Sequence, residues 1–111
     1  VLLKKVADAR RYGVPVFDPE RPESITRIEE KPQHPQSKYC VTGIYMYDTA
    51  VFDKIREITP SARGELEITD VNNCYAAEGK LEYDILRRYW SDAGTFDSLQ
   101  EAGVKMKGLL P

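Results

Sequence analysis

The stretch KYCVTGIYMYD, residues 38 to 48, constrains the fold more than any other part of the chain. Side chains alternate across a strand, so Tyr39, Val41, Gly43, Tyr45 and Tyr47 share one face, while Cys40, Thr42, Ile44 and Met46 share the other. Apolar residues on both faces predict a buried strand in the middle of a sheet. Shorter strands are predicted at Val1 to Val6 and Val14 to Phe17, and at Ser24 to Glu30, which Pro32 and Pro35 end. The prolines and charges of DPERPE mark a turn before the third of these.

Helical spacing dominates the rest of the chain. Asp48 is placed to cap a helix whose apolar stripe is Val51, Phe52, Ile55 and Ile58, with Pro60 just past its end. A second helix carries Ile68, Val71 and Tyr75, with Gly79 in the C′ position. Leu81 to Leu86 reads as a strand, and Thr95 caps a last helix bearing Phe96, Leu99 and Met106. Strands alternating with helices predict an α/β layered sheet.

At 111 residues the chain holds one domain at most. Sixteen Lys and Arg against 18 Asp and Glu leave a net charge of −2, which favours neither a nucleic-acid backbone nor an anionic membrane as partner. No apolar run approaches the roughly 20 residues a membrane span needs. Cys40 and Cys74 form no C-x-x-C pair, and His34 is the single histidine, so neither a disulfide nor a zinc framework is expected; a reducing cytoplasm fits. The chain opens on Val1 in a strand-like run and closes on KGLLP, which reads as a piece of a longer protein.

No G-x-G-x-x-G, no G-x-x-x-x-G-K-[ST] and no G-x-S-x-G is present, and His34 sits in a turn-rich surface loop. Three polar clusters remain at element ends, where α/β sheets bind ligands. They are Glu30-Lys31 in IEEKP, Arg63 in SARGELEITD, and Asp92 in YWSDAGT. Each has an ordinary structural reading. Acids at a helix entrance complement its dipole, and an Asp in a turn bonds the nearby backbone. Singly, none decides a function.

In this order, RRYGV, EEKP, VTGIYMYD, RGELEITDVN and WSDAGTFDSL resemble the second half of the sugar-1-phosphate nucleotidylyltransferases, from about Val1 to Ala102. RGELEITD is the most specific of these motifs. The resemblance implies a partial three-layer α/β/α fold, a mixed sheet with flanking helices, of which residues 1–111 are the sugar-phosphate-binding half. The glycine-rich nucleotide loop of that family is not among these residues. It implies Mg²⁺-dependent transfer of a nucleotidyl group from dTTP, or alternatively UTP, to glucose 1-phosphate, in a homo-oligomer. Lys31 and Arg63 would then neutralise phosphate, and Glu30 would accept hydrogen bonds from sugar hydroxyls. Gly13 would let the backbone approach the sugar, with Tyr12 beside it. Val41 would offer backbone groups, Tyr45 would line the pocket, and Asp92 would be one of two metal carboxylates. The resemblance leaves Glu65 and Glu67 as structural, orienting Arg63. As half a site, the isolated chain is expected to be inactive. The rival readings are a binding or assembly module that pairs through strand edges, and a site completed in trans by a second chain.

Overall fold

The computed structural model describes residues 1–109; Leu110 and Pro111 lie outside them. In chain order the elements are β1 (Leu2–Lys5), β2 (Gly13–Phe17), β3 (Ile25–Glu30), β4 (Tyr39–Val41), α1 (Val51–Glu57), α2 (Ile68–Ala77), β5 (Asp84–Ile85) and α3 (Phe96–Leu109). The strands form a three-stranded mixed sheet, β4-β1-β5, and a separate β2-β3 hairpin. The α/β class expected from the sequence is what the chain adopts.

The centre of the mixed sheet is not where alternation placed it. β1 is central, antiparallel to β4 and parallel to β5, with Leu3 opposite Val41 and also opposite Ile85. β4 is an edge strand of three residues, and the strand predicted through Tyr47 is cut short after Val41. The register explains the difference. Leu3 opposite Val41 sets Thr42 against Leu2, whose carbonyl accepts both the Thr42 amide and its hydroxyl. Among the described residues no strand pairs with residues 44–47, and Met46 is 92% exposed, although its neighbours in the pattern read as core. The predicted strand at Leu81 to Leu86 is likewise shorter, with β5 pairing Asp84 and Ile85 to Leu2 and Leu3.

The β2-β3 hairpin has a Pro in its middle, which its register tolerates. Pro15 lies opposite Ile28, and Ile28 turns its own amide and carbonyl away from Pro15. Both groups meet the side chain of Asn73 on α2. The Ile28 amide donates to Asn73 Oδ1 at 2.7 Å, and Asn73 Nδ2 donates to the Ile28 carbonyl at 2.9 Å. The outer edge of β3, away from β2, is thus completed by a helix side chain. The core lies between these layers. Leu3, Ile25 and Ile28 form its centre, with Phe17, Tyr39, Val41 and Tyr83 packed around them.

α2 buries Val71 and Tyr75, as its spacing predicts, and Ala76 as well, but Ile68 at the head of the stripe is exposed; the helix ends at Gly79, whose φ is +70°. The amides of Gly79 and Lys80 return to the carbonyls of Ala76 and Tyr75, a Schellman closure that needs the left-handed residue there. α1 departs from expectation. Phe52 and Ile55 are exposed, and its one buried side chain is Lys54. That lysine reaches across to α2, 2.9 Å from Glu78 and 4.5 Å above the Tyr75 ring, so α1 leans on α2 through a cation and leaves its apolar stripe in solvent. Asp48 does not cap α1; its Oδ1 accepts the Tyr75 hydroxyl at 2.7 Å. Thr95 does cap α3. Its hydroxyl takes the Ser98 amide and the Ser98 hydroxyl takes the Thr95 amide, both at 3.0 Å, yet no residue of α3 is buried.

Candidate functional site

The hairpin register builds one corner of a pocket. Gly13 pairs with Glu30, and the Lys31 amide donates to the Tyr12 carbonyl at 2.9 Å, so the YG and EK dipeptides meet at the open end of β2-β3. Lys31 then turns the chain with a φ of +46°, an uncommon conformation for a residue with a Cβ. Ala93, with a φ of +51°, does the same immediately after Asp92. These are the two non-glycine residues of positive φ among those described, and each follows an acid of the candidate site.

Tyr12, Gly13, Glu30, Val41 and Tyr45 line a single pocket of about 180 Å³, with Arg11, Ile68, Thr69 and Asn72. Five of the positions implied by the resemblance, drawn from β2, β3, β4 and the segment after β4, therefore share one wall. Gly13 is there for space. A Cβ at that position would meet Ile28 Cγ2 at 3.2 Å and Glu30 Oε2 at 3.5 Å, standing between strand and helix inside the pocket. Glu30 is held from the helix side, where the Thr69 hydroxyl donates to Oε2. A larger groove of about 460 Å³ lies beside residues 44–47. Of the expected residues it holds Tyr45 alone, whereas the smaller pocket gathers five.

Arg11, Ile68, Thr69 and Asn72 were not singled out from sequence. Ile68 reads as an ordinary core position, Thr69 and Asn72 as helix surface, and Arg11 as half of a charged dipeptide. The signal available for Thr69 and Asn72 was their spacing of three, which stacks them on one helix face. Trp90 was visible as half of an aromatic pair, and it packs edge-on against Tyr12 with ring centroids 5.5 Å apart.

The expected phosphate cations sit outside the lining. The Lys31 side chain is exposed. Arg63, also exposed, donates to Glu67 at 2.7 Å and lies 3.5 Å from Glu65. The two glutamates of RGELE thus hold Arg63 at the entrance of α2, the orienting role that the resemblance implies for them. Asp92 is about a quarter exposed, and its Oδ2 accepts Arg11 at 3.0 Å. No cluster of three metal-ligating side chains exists among the described residues. Asp92 can supply one carboxylate, which suits a hard cation that takes most of its ligands from phosphates and water.

Electrostatics keep the pocket's phenols protonated. Burial first, and then the Glu30 carboxylate, raise the Tyr45 pKa. Burial together with Asp92 raises Tyr12, and burial pushes Tyr47, outside the lining, up to about 12. Tyr12 and Tyr45 are thus hydrogen-bond donors throughout the neutral range. Arg63 in turn holds the Glu67 carboxyl below the ordinary glutamate value. The wall therefore presents neutral donors and an acceptor-only carboxylate, with cations at its rim. That combination fits a polyhydroxylated ligand carrying a phosphate.

Residues 1–108 match the family described as nucleotidyl transferase. The glucose-1-phosphate thymidylyltransferase of Mycolicibacterium smegmatis is 46% identical over 99 residues, covering 87% of this chain and 34% of the relative. That of Xanthomonas campestris pv. campestris is 48% identical over 99 residues, covering 87% and 33%. The chain thus spans about a third of the length of the curated relatives it matches. A crystal structure from Bacillus anthracis, assigned as a glucose-1-phosphate thymidylyltransferase and holding sucrose, superposes with a TM-score of 0.82 at 51% identity, over 94% of this chain and 41% of that one. UDP-glucose pyrophosphorylase complexed with UDP-glucose shares the fold, with a TM-score of 0.83 at 22% identity over 99% of this chain and 44% of its own. No helix among the described residues is long and apolar enough to cross a membrane.

Proposed function

The chain belongs to the nucleotidyl transferase family, and from that premise we propose that residues 1–111 form the sugar-phosphate-binding half of a glucose-1-phosphate thymidylyltransferase active site. One observation carries the reading: Tyr12, Gly13, Glu30, Val41 and Tyr45, far apart in sequence, line one pocket. In the reaction, a phosphate oxygen of glucose 1-phosphate attacks the α-phosphorus of dTTP, and pyrophosphate leaves. Such a transfer asks a protein mainly for positioning and charge stabilisation.

The residues divide that work. Glu30, with Oε2 fixed by Thr69, accepts hydrogen bonds from ring hydroxyls and sets the sugar's orientation. Gly13 leaves the room that the ring occupies. Lys31 and Arg63 approach the sugar phosphate from the rim, and Arg63 exchanges part of its contact with Glu67 for the incoming oxygens. Asp92 would hold Mg²⁺, which supplies neutralisation of phosphate charge when bound. The nucleotide is held by parts of the enzyme beyond these residues, with UTP as the alternative donor. These 111 residues by themselves then bind glucose 1-phosphate but do not turn over.

Titrating glucose 1-phosphate into the isotope-labelled chain tests this. Amide shifts should cluster at Gly13, Glu30, Lys31 and Arg63, and should be lost with Lys31→Ala and Arg63→Ala together. An unshifted spectrum at millimolar ligand, with no pyrophosphate released from dTTP or UTP, would leave the assembly-module reading in its place.

A further inference from the structure

We propose that Asn72 is a specificity-determining residue of this pocket, its side-chain amide donating to a sugar hydroxyl oxygen while Glu30 accepts a hydroxyl proton beside it. The inference rests on the reading of the pocket as a sugar-phosphate site. Asn72 is 1% exposed and lines the pocket from α2, one turn beyond Thr69. Its carbonyl end is committed, since Oδ1 accepts the Tyr47 hydroxyl at 2.5 Å. Its amide nitrogen, by contrast, donates to nothing among the described residues.

A buried amide donor without an acceptor costs free energy comparable to a lost hydrogen bond. No fully buried side-chain nitrogen or oxygen in the described residues is left in that state. The Asn72 nitrogen therefore keeps its small accessible edge where the residue meets the pocket, and an acceptor there satisfies it. The amide is oriented by Tyr47, whose hydroxyl donates to Oδ1 and so turns the NH₂ end the other way. Tyr47 is in this sense a positioning residue. It is itself held between Tyr45 and Tyr75, with ring centroids 5.9 and 5.7 Å away.

The two polar groups facing the pocket are complementary. Thr69 occupies Glu30 Oε2, which leaves Oε1 to accept from a hydroxyl, while Asn72 offers N–H groups to a hydroxyl oxygen. A ring hydroxyl both donates and accepts, so an acceptor and a donor on one wall recognise it or a neighbouring pair of hydroxyls. A sugar lacking that hydroxyl leaves the Asn72 nitrogen unpaired, and sites of this kind reject such analogues strongly.

Calorimetric titration of the chain with glucose 1-phosphate and its 2-deoxy, 3-deoxy and 4-deoxy forms, with inorganic phosphate as control, tests the proposal. Wild type should bind glucose 1-phosphate and disfavour at least one deoxy form. Asn72→Ala should weaken glucose 1-phosphate roughly tenfold and abolish discrimination at that same position. Asn72→Asp, which keeps the shape and the Tyr47 bond but has no donor, should do so too, and guards against a folding defect in the alanine variant. Tyr47→Phe should give an intermediate loss at the same position. Unchanged discrimination in both Asn72 variants overturns the inference while the functional reading stands. A wild type that binds phosphate and all four sugar phosphates alike, or none, overturns both.

Discussion

Asn73→Ala should destabilise the chain by about 1–3 kcal/mol, from two net hydrogen bonds of roughly 0.5–1.5 kcal/mol each. The two bonds are those to the Ile28 amide and carbonyl, at 2.7 and 2.9 Å. No neighbouring strand can replace them, because these groups face the outer edge of β3, beside which the two-stranded sheet has no further strand among the described residues. Ile28 is 3% exposed, so water reaches its backbone only if α2 moves away. Asn73→Asp should be at least as harmful: one oxygen keeps the Ile28 amide while the other faces the Ile28 carbonyl. Urea unfolding should show a lower midpoint with an unchanged slope. Exchange of the Ile28 amide should accelerate about thirtyfold for a 2 kcal/mol loss, at a factor of ten per 1.4 kcal/mol. A loss below about 0.5 kcal/mol for both variants would refute the reasoning, since it would mean that the helix contributes nothing net to that strand edge.

Three further outcomes follow from the geometry. Gly13→Ala places a methyl 3.2 Å from Ile28 Cγ2. It should cost about 1 kcal/mol of stability through overpacking and roughly tenfold or more in glucose 1-phosphate affinity, read by unfolding and by titration. Gly94→Ala sets a Cβ 2.7 Å from Asp92 Oδ2, so the carboxylate must turn away and release Arg11; Mn²⁺ titration followed by electron paramagnetic resonance should show weakened binding, with a stability loss of about 1 kcal/mol or less because Arg11 is half exposed. Burial pushes the Cys40 thiol from 9.0 up to about 11. The folded state therefore retains a proton that the unfolded chain releases, and this contribution is full below pH 9 and lost as pH rises through 11. The difference in thermal midpoint between wild type and Cys40→Ala should appear in that window and be flat below it.

The sequence was most legible where local chemistry and tertiary structure agree. Gly79 closes α2, Thr95 opens α3, and the YG and EK dipeptides that strand register joins were both visible as motifs. It was least legible where a neighbour decides the outcome. Alternation through Tyr47 is real, yet Ile44 to Met46 are exposed and no strand among the described residues pairs with them. The stripe on α1 has helical spacing, but Lys54, not Phe52, makes the contact with α2. Within the site, Tyr12, Gly13, Glu30, Val41 and Tyr45 line one pocket, whereas Lys31, Arg63 and Asp92 lie outside its lining and Thr69 and Asn72 were missed. Their importance depends on which face of α2 meets β3, and one sequence does not reveal that.

The exposure of α3 has a thermodynamic consequence. Most helices in proteins owe their stability to packing, and isolated ones of about 12–15 residues are marginal in water. α3 is 14 residues long, with Phe96 94% and Val104 67% exposed, so it draws little from the rest of the chain. Its helicity is then governed by nucleation and propagation, with the Thr95–Ser98 cap as its main local aid. Far-ultraviolet ellipticity should accordingly fall in a shallow, sloping decline before the cooperative transition, and that slope measures a helix–coil equilibrium, separate from the stability of the sheet.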